Sequence, residues 1–272
     1  MKAAVIQLQC GDTPARNLAA AETLIAAAAA EGARLVVLPE NLALMSRHER
    51  DKLAIAEAPG EGPLQDWLRL QAMRHAVVIV GGTLPLRGED GQRVRASCLV
   101  AGTDGSWLAR YDKIHLFDVQ VQREGRVEHY RESASIEPGP PAPVIVDVDG
   151  WRIGLSVCYD LRFPELYRAL ARAGAEVLCV PSAFTAQTGA AHWATLLRAR
   201  AIENLCYVLA PNQCGEHPGG RRTWGHSCIL SPWGDTLAQL EQAPGHAVAT
   251  LERDKLRALR LAFPTLDHRR LE

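Results

Sequence analysis

The 272-residue sequence lacks a surplus of either charge, a long apolar run and a paired-cysteine motif. Lys and Arg number 30 against 31 Asp and Glu, a formal net charge of −1. Nucleic acid or an anionic membrane would favour a basic excess, so neither is an expected partner. No apolar stretch approaches the roughly 18–20 residues of a membrane-spanning helix. The opening residues, Met1-Lys2-Ala3-Ala4-Val5-Ile6-Gln7, lack a signal-peptide core and cleavage site and read as a first strand. The 7 cysteines are odd in number and include no CxxC pair, which argues against structural zinc and a thioredoxin-like motif. A reduced, cytoplasmic protein with mostly buried thiols is expected. Neither GxxxxGK(S/T) nor GxGxxG is present, and the 9 histidines show no metal-ligand spacing, so no cofactor or metal is expected. Gly225-His226-Ser227-Cys228-Ile229 begins like a serine nucleophile elbow, but it lacks the closing glycine and sits in a strand pattern.

What is present is an alternation of short β-branched runs with Ala/Leu/Arg-rich helical stretches. Strands are expected at Ala3–Gln9, Arg34–Leu38, Val77–Val80, Glu176–Val180, Leu205–Ala210, Thr223–Leu230, Thr236–Leu240 and His246–Leu251. Hairpins are expected at 94–101 with 106–111, and at Val144–Val148 with Trp151–Val157. Helices are expected at 15–31, stopped by Gly32, and at Pro63–Arg74, Pro164–Ala173, 190–203 and Arg253–Leu261. The polar stretch 112–143 reads as a long irregular segment, a feature that is usually functional or disordered. No repeat or linker divides the chain, so one α/β domain with a mixed sheet is expected over 1–272.

Three strand ends carry chemistry. The run Leu35-Val36-Val37-Leu38-Pro39 delivers Glu40, the run ending Tyr111-Asp112 delivers Lys113, and the run Ile153–Val157 delivers Cys158 just before a helix. Side chains from separate strands converge beyond strand ends in α/β sheets. Singly, each residue has an ordinary reading: a solvated carboxylate, a surface lysine, a core thiol. Together they form a toolkit for amide cleavage. A thiol with a reference pKa of about 8.5 needs a base. A carboxylate can take its proton and return it to a leaving amine. A lysine and the backbone N–H of Tyr159 can hold the oxyanion.

These segments resemble the Glu–Lys–Cys motifs of the nitrilase (carbon–nitrogen hydrolase) superfamily. LPE (38–40), YDKIHLFD (111–118) and GLSVCYDLRFPELYRALARAGAE (154–176) occur in that order. PSAF (181–184), TGAAHW (188–193), LLRARAIEN (196–204), WGHSCILSPWGD (224–235) and HRR (268–270) extend the likeness over nearly the whole chain. They resemble the branch of amidases acting on deaminated glutathione, with the ω-amidases slightly further off. The resemblance implies a four-layer α-β-β-α sandwich, a homodimer or higher homo-oligomer, a small-molecule amide substrate and Glu40, Lys113 and Cys158 as the catalytic set. It also implies a second site glutamate ahead of a serine and a Pro-Gly. Glu132-Ser133 before Pro138-Gly139 fits this better than Glu128. Substrate-binding candidates are Tyr159, Arg162, Phe184, Thr185, Thr188 and His192. Arg162 could instead pair with Glu165, and His192 could merely pack or cap. Relatives usually carry glutamate where this chain has Ala194. Arg221 and Arg222 could recognise an anionic substrate or form a solvated turn. A catalytically silent binding protein on the same fold is the alternative of a different class, disfavoured because all three motif residues stand.

Overall fold

The structure, a computed structural model, describes residues 1–123 and 126–271. Six early strands form most of one sheet: β1 (Lys2–Gln7), β2 (Leu35–Val37), β3 (Val78–Val80), β4 (Leu84–Arg87), β5 (Val94–Ala101) and β6 (Trp107–Asp112). A separate hairpin follows, β7 (Asp118–Arg123) with β8 (Arg126–Arg131). The second sheet starts with β9 (Val144–Val148), β10 (Trp151–Leu155), β11 (Val177–Cys179) and β12 (Tyr207–Ala210). A small ribbon, β13 (Cys214–Glu216) with β14 (Arg222–Trp224), interrupts it before β15 (Cys228–Leu230) and β16 (Thr236–Gln239) complete it. The last strand, β17 (Gly245–Thr250), returns to pair antiparallel with β1. Both sheets are mixed: β1–β2–β3 and β10–β11–β12 run parallel, and their flanking strands pair antiparallel.

The two-residue period of the strands sets the layers. In the first sheet Ala3, Val5, Leu35, Val37, Val78 and Val80 share one buried cluster with Val146, Ile153, Leu155 and Val177 of the second. The alternate residues Ala4, Ile6, Val36 and Ile79 instead meet helices α1 (Pro14–Ala30) and α2 (Pro63–His75). In α1 the buried positions Asn17, Ala21, Ile25 and Ala28 recur every three or four residues, giving one flat face. Helices α3 (Pro164–Arg172) and α4 (Ala194–Asn204) cover the second sheet through Leu166, Leu170, Leu197 and Ala201. The result is the expected α-β-β-α order. A last helix, α5 (Arg253–Ala262), follows β17. Among the described residues no helix is long and apolar enough to cross a membrane.

Four local expectations need correction. The stretch 112–143 is not irregular throughout: it holds β7, β8 and the short turn Glu132–Ala134, while residues 124 and 125 lie outside the described set. The expected strand Thr223–Leu230 is two strands. Gly225 (φ 71°) and His226 (φ 53°) take left-handed backbone there, so β14 pairs with β13 while β15 pairs with β12. The expected helix 190–203 opens with a π-helical turn, Gly189–Trp193, before α4 begins. The strand β4 was not expected, because Leu84-Pro85-Leu86 is short and contains proline.

Candidate active site

The side chains of Glu40, Lys113 and Cys158 come from β2, β6 and β10, and each stands just past the end of its strand. Glu40 follows Leu38-Pro39, and its carbonyl accepts a hydrogen bond from Gln213 Nε2 at 2.9 Å. Lys113 follows β6 directly; its N–H donates to Ala96 and its carbonyl accepts from Gly139. Cys158 has left-handed backbone (φ 46°), donates its N–H to the Pro181 carbonyl at 2.9 Å and opens the short 3-10 helix Cys158–Arg162. This is a sharp strand-to-helix turn, and the N–H of Tyr159 lies in its first turn, where donors have no partner within the helix.

Lys113 is the hub. It is 1% exposed, and its Nζ donates to Glu40 Oε1 at 2.7 Å and to both carboxylate oxygens of Glu132 at 2.9 Å. Glu132 Oε2 also accepts the N–H of Phe117 at 2.6 Å. The structure thus brings Glu132 to the lysine; the Glu128 side chain lies outside the described residues. Burial pushes the Glu40 carboxyl up, but the charge and hydrogen bond of Lys113 outweigh it and hold Glu40 below the usual carboxylate range. Burial would lower the Lys113 ammonium, yet Glu132 and then Glu40 hold it well up. The Cys158 thiol is pushed well up by burial and then by the charge of Glu40, against the opposing pull of Lys113 and the Ala183 N–H. At rest the site therefore holds an ionised Glu40, a charged Lys113 and a protonated Cys158 thiol.

One supporting residue was missed in the sequence. Asp160 is fully buried and accepts from Tyr111 Oη (2.7 Å), the Val157 N–H (2.7 Å), the His115 N–H (3.1 Å) and His115 Nδ1 (2.7 Å). It ties the segment flanking Lys113 to the turn bearing Cys158. His115 also stacks on Phe163 with centroids 3.7 Å apart. The signal available was the carboxylate two positions after the cysteine, but nothing local distinguishes it from a cap.

Glu40, Lys113, Glu132 and Cys158 line a cavity of about 220 Å³. Among the described residues no group of three or more His, Cys, Asp or Glu side chains is placed to hold a metal ion.

The sequence profile of the carbon–nitrogen hydrolase family matches residues 2–261. The chain belongs to the carbon–nitrogen hydrolases. It is 45% identical to a deaminated glutathione amidase of Synechocystis sp., over 98% of this chain and 97% of that enzyme. Its fold matches the crystal structure of the C. elegans NitFhit protein with a TM-score of 0.91 and 34% identity, covering 99% of this chain and 65% of that one. It also matches an amidase of Nesterenkonia sp. (TM-score 0.79, 29% identity, 97% and 98% coverage). That structure, of a glutamate-to-glutamine variant, shows the product of Michael addition of acrylamide at the active-site cysteine.

In this carbon–nitrogen hydrolase, Tyr159, Arg162, Phe184, Thr185 and Thr188 line the cavity with the acid, lysine and thiol. Arg162 pairs with no carboxylate among the described residues, so the ion pair with Glu165 does not form. Its guanidinium lies 5.3 Å from the Phe184 ring centroid and 5.8 Å from that of Tyr159. His192 is exposed and does not line the cavity; its Nδ1 accepts from Arg162 at 3.2 Å. Thr185 caps the turn that holds Thr188, with their hydroxyls 2.8 Å apart. Ala194 is exposed at the start of α4, away from the cavity wall. The paired arginines separate: Arg221 lines the cavity, whereas Arg222 is exposed and outside its wall. Sequence reading also missed Glu49 and Lys52, which reach the wall from the 3-10 helix Glu49–Ile55.

Proposed function

We propose that this carbon–nitrogen hydrolase cleaves the amide of deaminated glutathione, N-(4-oxoglutaryl)-cysteinylglycine, to 2-oxoglutarate and cysteinylglycine. The observation that carries the substrate is the charge of the cavity wall. Six cations (Arg47, Lys52, Lys113, Arg131, Arg162, Arg221) face three carboxylates (Glu40, Glu49, Glu132). Such a wall suits a substrate with two carboxylates, in a protein whose overall charge is close to zero. The Synechocystis relative's name supports the same reading.

The mechanism follows from the resting charges. Because the thiol is held up and Glu40 down, proton transfer between them is unfavourable until the thiolate's charge can move on. Attack of Sγ on the amide carbonyl moves that charge to the carbonyl oxygen, where Lys113 and the Tyr159 N–H receive it. Glu40 takes the thiol proton as the C–S bond forms and gives it to the amine as the C–N bond breaks. A water then loses a proton to Glu40 and attacks the thioester; the returning proton restores Cys158. Glu132 keeps Lys113 charged and in place throughout.

We further infer a cytoplasmic homo-oligomer. All seven cysteines are free and buried, which suits a reducing compartment. Trp233 and Phe263 meet edge to face with centroids 5.8 Å apart, and both are exposed, as is Leu261. They supply an apolar patch for a second copy.

The test of the substrate compares kcat/KM for deaminated glutathione and 2-oxoglutaramate, both read as 2-oxoglutarate release. At least tenfold preference for deaminated glutathione is expected, roughly the worth of one charge-assisted contact. Preference for 2-oxoglutaramate would make the protein an ω-amidase instead.

A further inference from the structure

The buried cations of the cavity wall are not equivalent. Lys113 spends its donors on Glu40 and Glu132. Lys52 and Arg221 have side chains only 9% and 21% exposed and share one carboxylate, Glu49, at 2.5 and 3.0 Å. Arg221 Nη2 also reaches the Ala183 carbonyl at 3.3 Å, but its buried Nε has no partner among the described residues. Among the described residues Lys52 donates to Glu49 alone. Two cations around one carboxylate leave one net positive charge on the cavity wall. Together the two cations, Lys52 first, push the Glu49 carboxyl down to about 2. The loop carrying Arg221 is held firmly: buried His217 bridges the Cys10 carbonyl and the Thr223 hydroxyl, each at 2.7 Å.

The pair also lies on a definite side of the reaction. Lys52 and Arg221 share the cavity wall with Glu40 and each interacts electrostatically with it, whereas the Arg162 guanidinium lies against the Phe184 and Tyr159 rings. Glu40 faces the departing amine in the mechanism above. We infer that Lys52 and Arg221 bind the terminal carboxylate of the leaving half of the substrate, and so select peptide-like amides over simple ones. This rests on the substrate reading above and assigns its leaving-group subsite. The carboxylate would take donors from both cations without displacing Glu49, and the bound pair would then be charge-balanced.

The test compares deaminated glutathione with its C-terminal carboxamide analogue, in the wild type, Arg221→Met and Lys52→Met. The wild type is expected to prefer the carboxylate by about 30-fold in kcat/KM, the worth of a buried charge-assisted contact. In either variant that preference should fall to within about threefold. Variants that lose activity on both substrates while keeping the preference would overturn the assignment. Product inhibition checks the wild type without mutation. Cysteinylglycine should inhibit at least tenfold more strongly than cysteinylglycinamide, and equal inhibition would overturn the subsite. If the wild type cleaves deaminated glutathione but the preference survives mutation, the subsite alone is wrong. If the wild type cleaves other amides and not deaminated glutathione, the substrate reading falls and takes the subsite with it.

Discussion

Replacing Glu40 with Gln is expected to make Cys158 more reactive and the enzyme nearly inactive. After burial, the charge of Glu40 is the chief influence that keeps the thiol protonated, while Lys113 pulls the other way. The buried cluster of Glu40, Glu132 and Lys113 carries one net negative charge, and Glu40→Gln makes it neutral. Two unit charges about 4 Å apart interact by about 4 kcal/mol at an effective dielectric of about 20. That is a ceiling, because Lys113 loses a partner and settles onto Glu132. A release of roughly 1.4–2.8 kcal/mol corresponds to about tenfold to a hundredfold more thiolate at pH 7. Alkylation by iodoacetamide, followed by intact mass across pH, reads the thiolate. Its rate at pH 7 should rise by that factor, and its inflection should move to lower pH. Amide turnover should fall by about 10²–10⁴, the usual contribution of general acid–base catalysis. Slower alkylation in Glu40→Gln, or an inflection moved to higher pH, would refute the charge argument. Turnover within tenfold of wild type would refute the role of Glu40 as the base.

Two further substitutions probe the scaffold beneath these groups. Asp160→Ala leaves four donors without their acceptor, two of them buried (the Tyr111 hydroxyl and the Val157 N–H), at about 1–3 kcal/mol for each buried group. We expect a loss of about 3–5 kcal/mol and a fall in Tm of roughly 10 °C by thermal unfolding, with turnover reduced through displaced Lys113 and Cys158; an unchanged Tm would show that the network carries little weight. Gly82 has a left-handed backbone (φ 64°), and a Cβ there would stand 1.9 Å from the Pro39 carbonyl oxygen, next to Glu40. Gly82→Ala should therefore destabilise by about 1–3 kcal/mol and lower kcat at least tenfold; wild-type kcat and Tm together would contradict this.

The parts of the site legible in the sequence were those that depend on local order. Each of Glu40, Lys113 and Cys158 follows a run that reads as a strand, so a strand-end position could be read without knowing the fold. Glu132 became readable only through family likeness, because the polar segment around it lacks the apolar pattern that marks a core strand. The hairpin β7–β8 was missed for the same reason: among the described residues it pairs only with itself, and it contributes Tyr130 and Arg131 to the cavity wall instead of packing into a larger sheet. Asp160 and the Lys52–Glu49–Arg221 cluster were not legible, since Tyr111 and His115 lie 49 and 45 residues from Asp160, Arg221 lies 172 residues from Glu49, and burial alone gives the local contacts meaning. The mixed α/β character did follow from strand alternation, whereas the two-sheet layering was legible only through family likeness and the break at Gly225-His226 not at all. There the backbone turns left-handed inside a run whose side chains suit a strand.

The central claim is covalent catalysis by Cys158, and its most direct test is trapping the acyl-enzyme. Rapid acid quenching during turnover of deaminated glutathione, followed by intact mass and peptide mapping, would detect it. The expected result is a 2-oxoglutaryl thioester on Cys158 in the wild type and none in a folded, inactive Cys158→Ala variant. Wild-type turnover by Cys158→Ala, or an acyl group mapped to another residue, would contradict it.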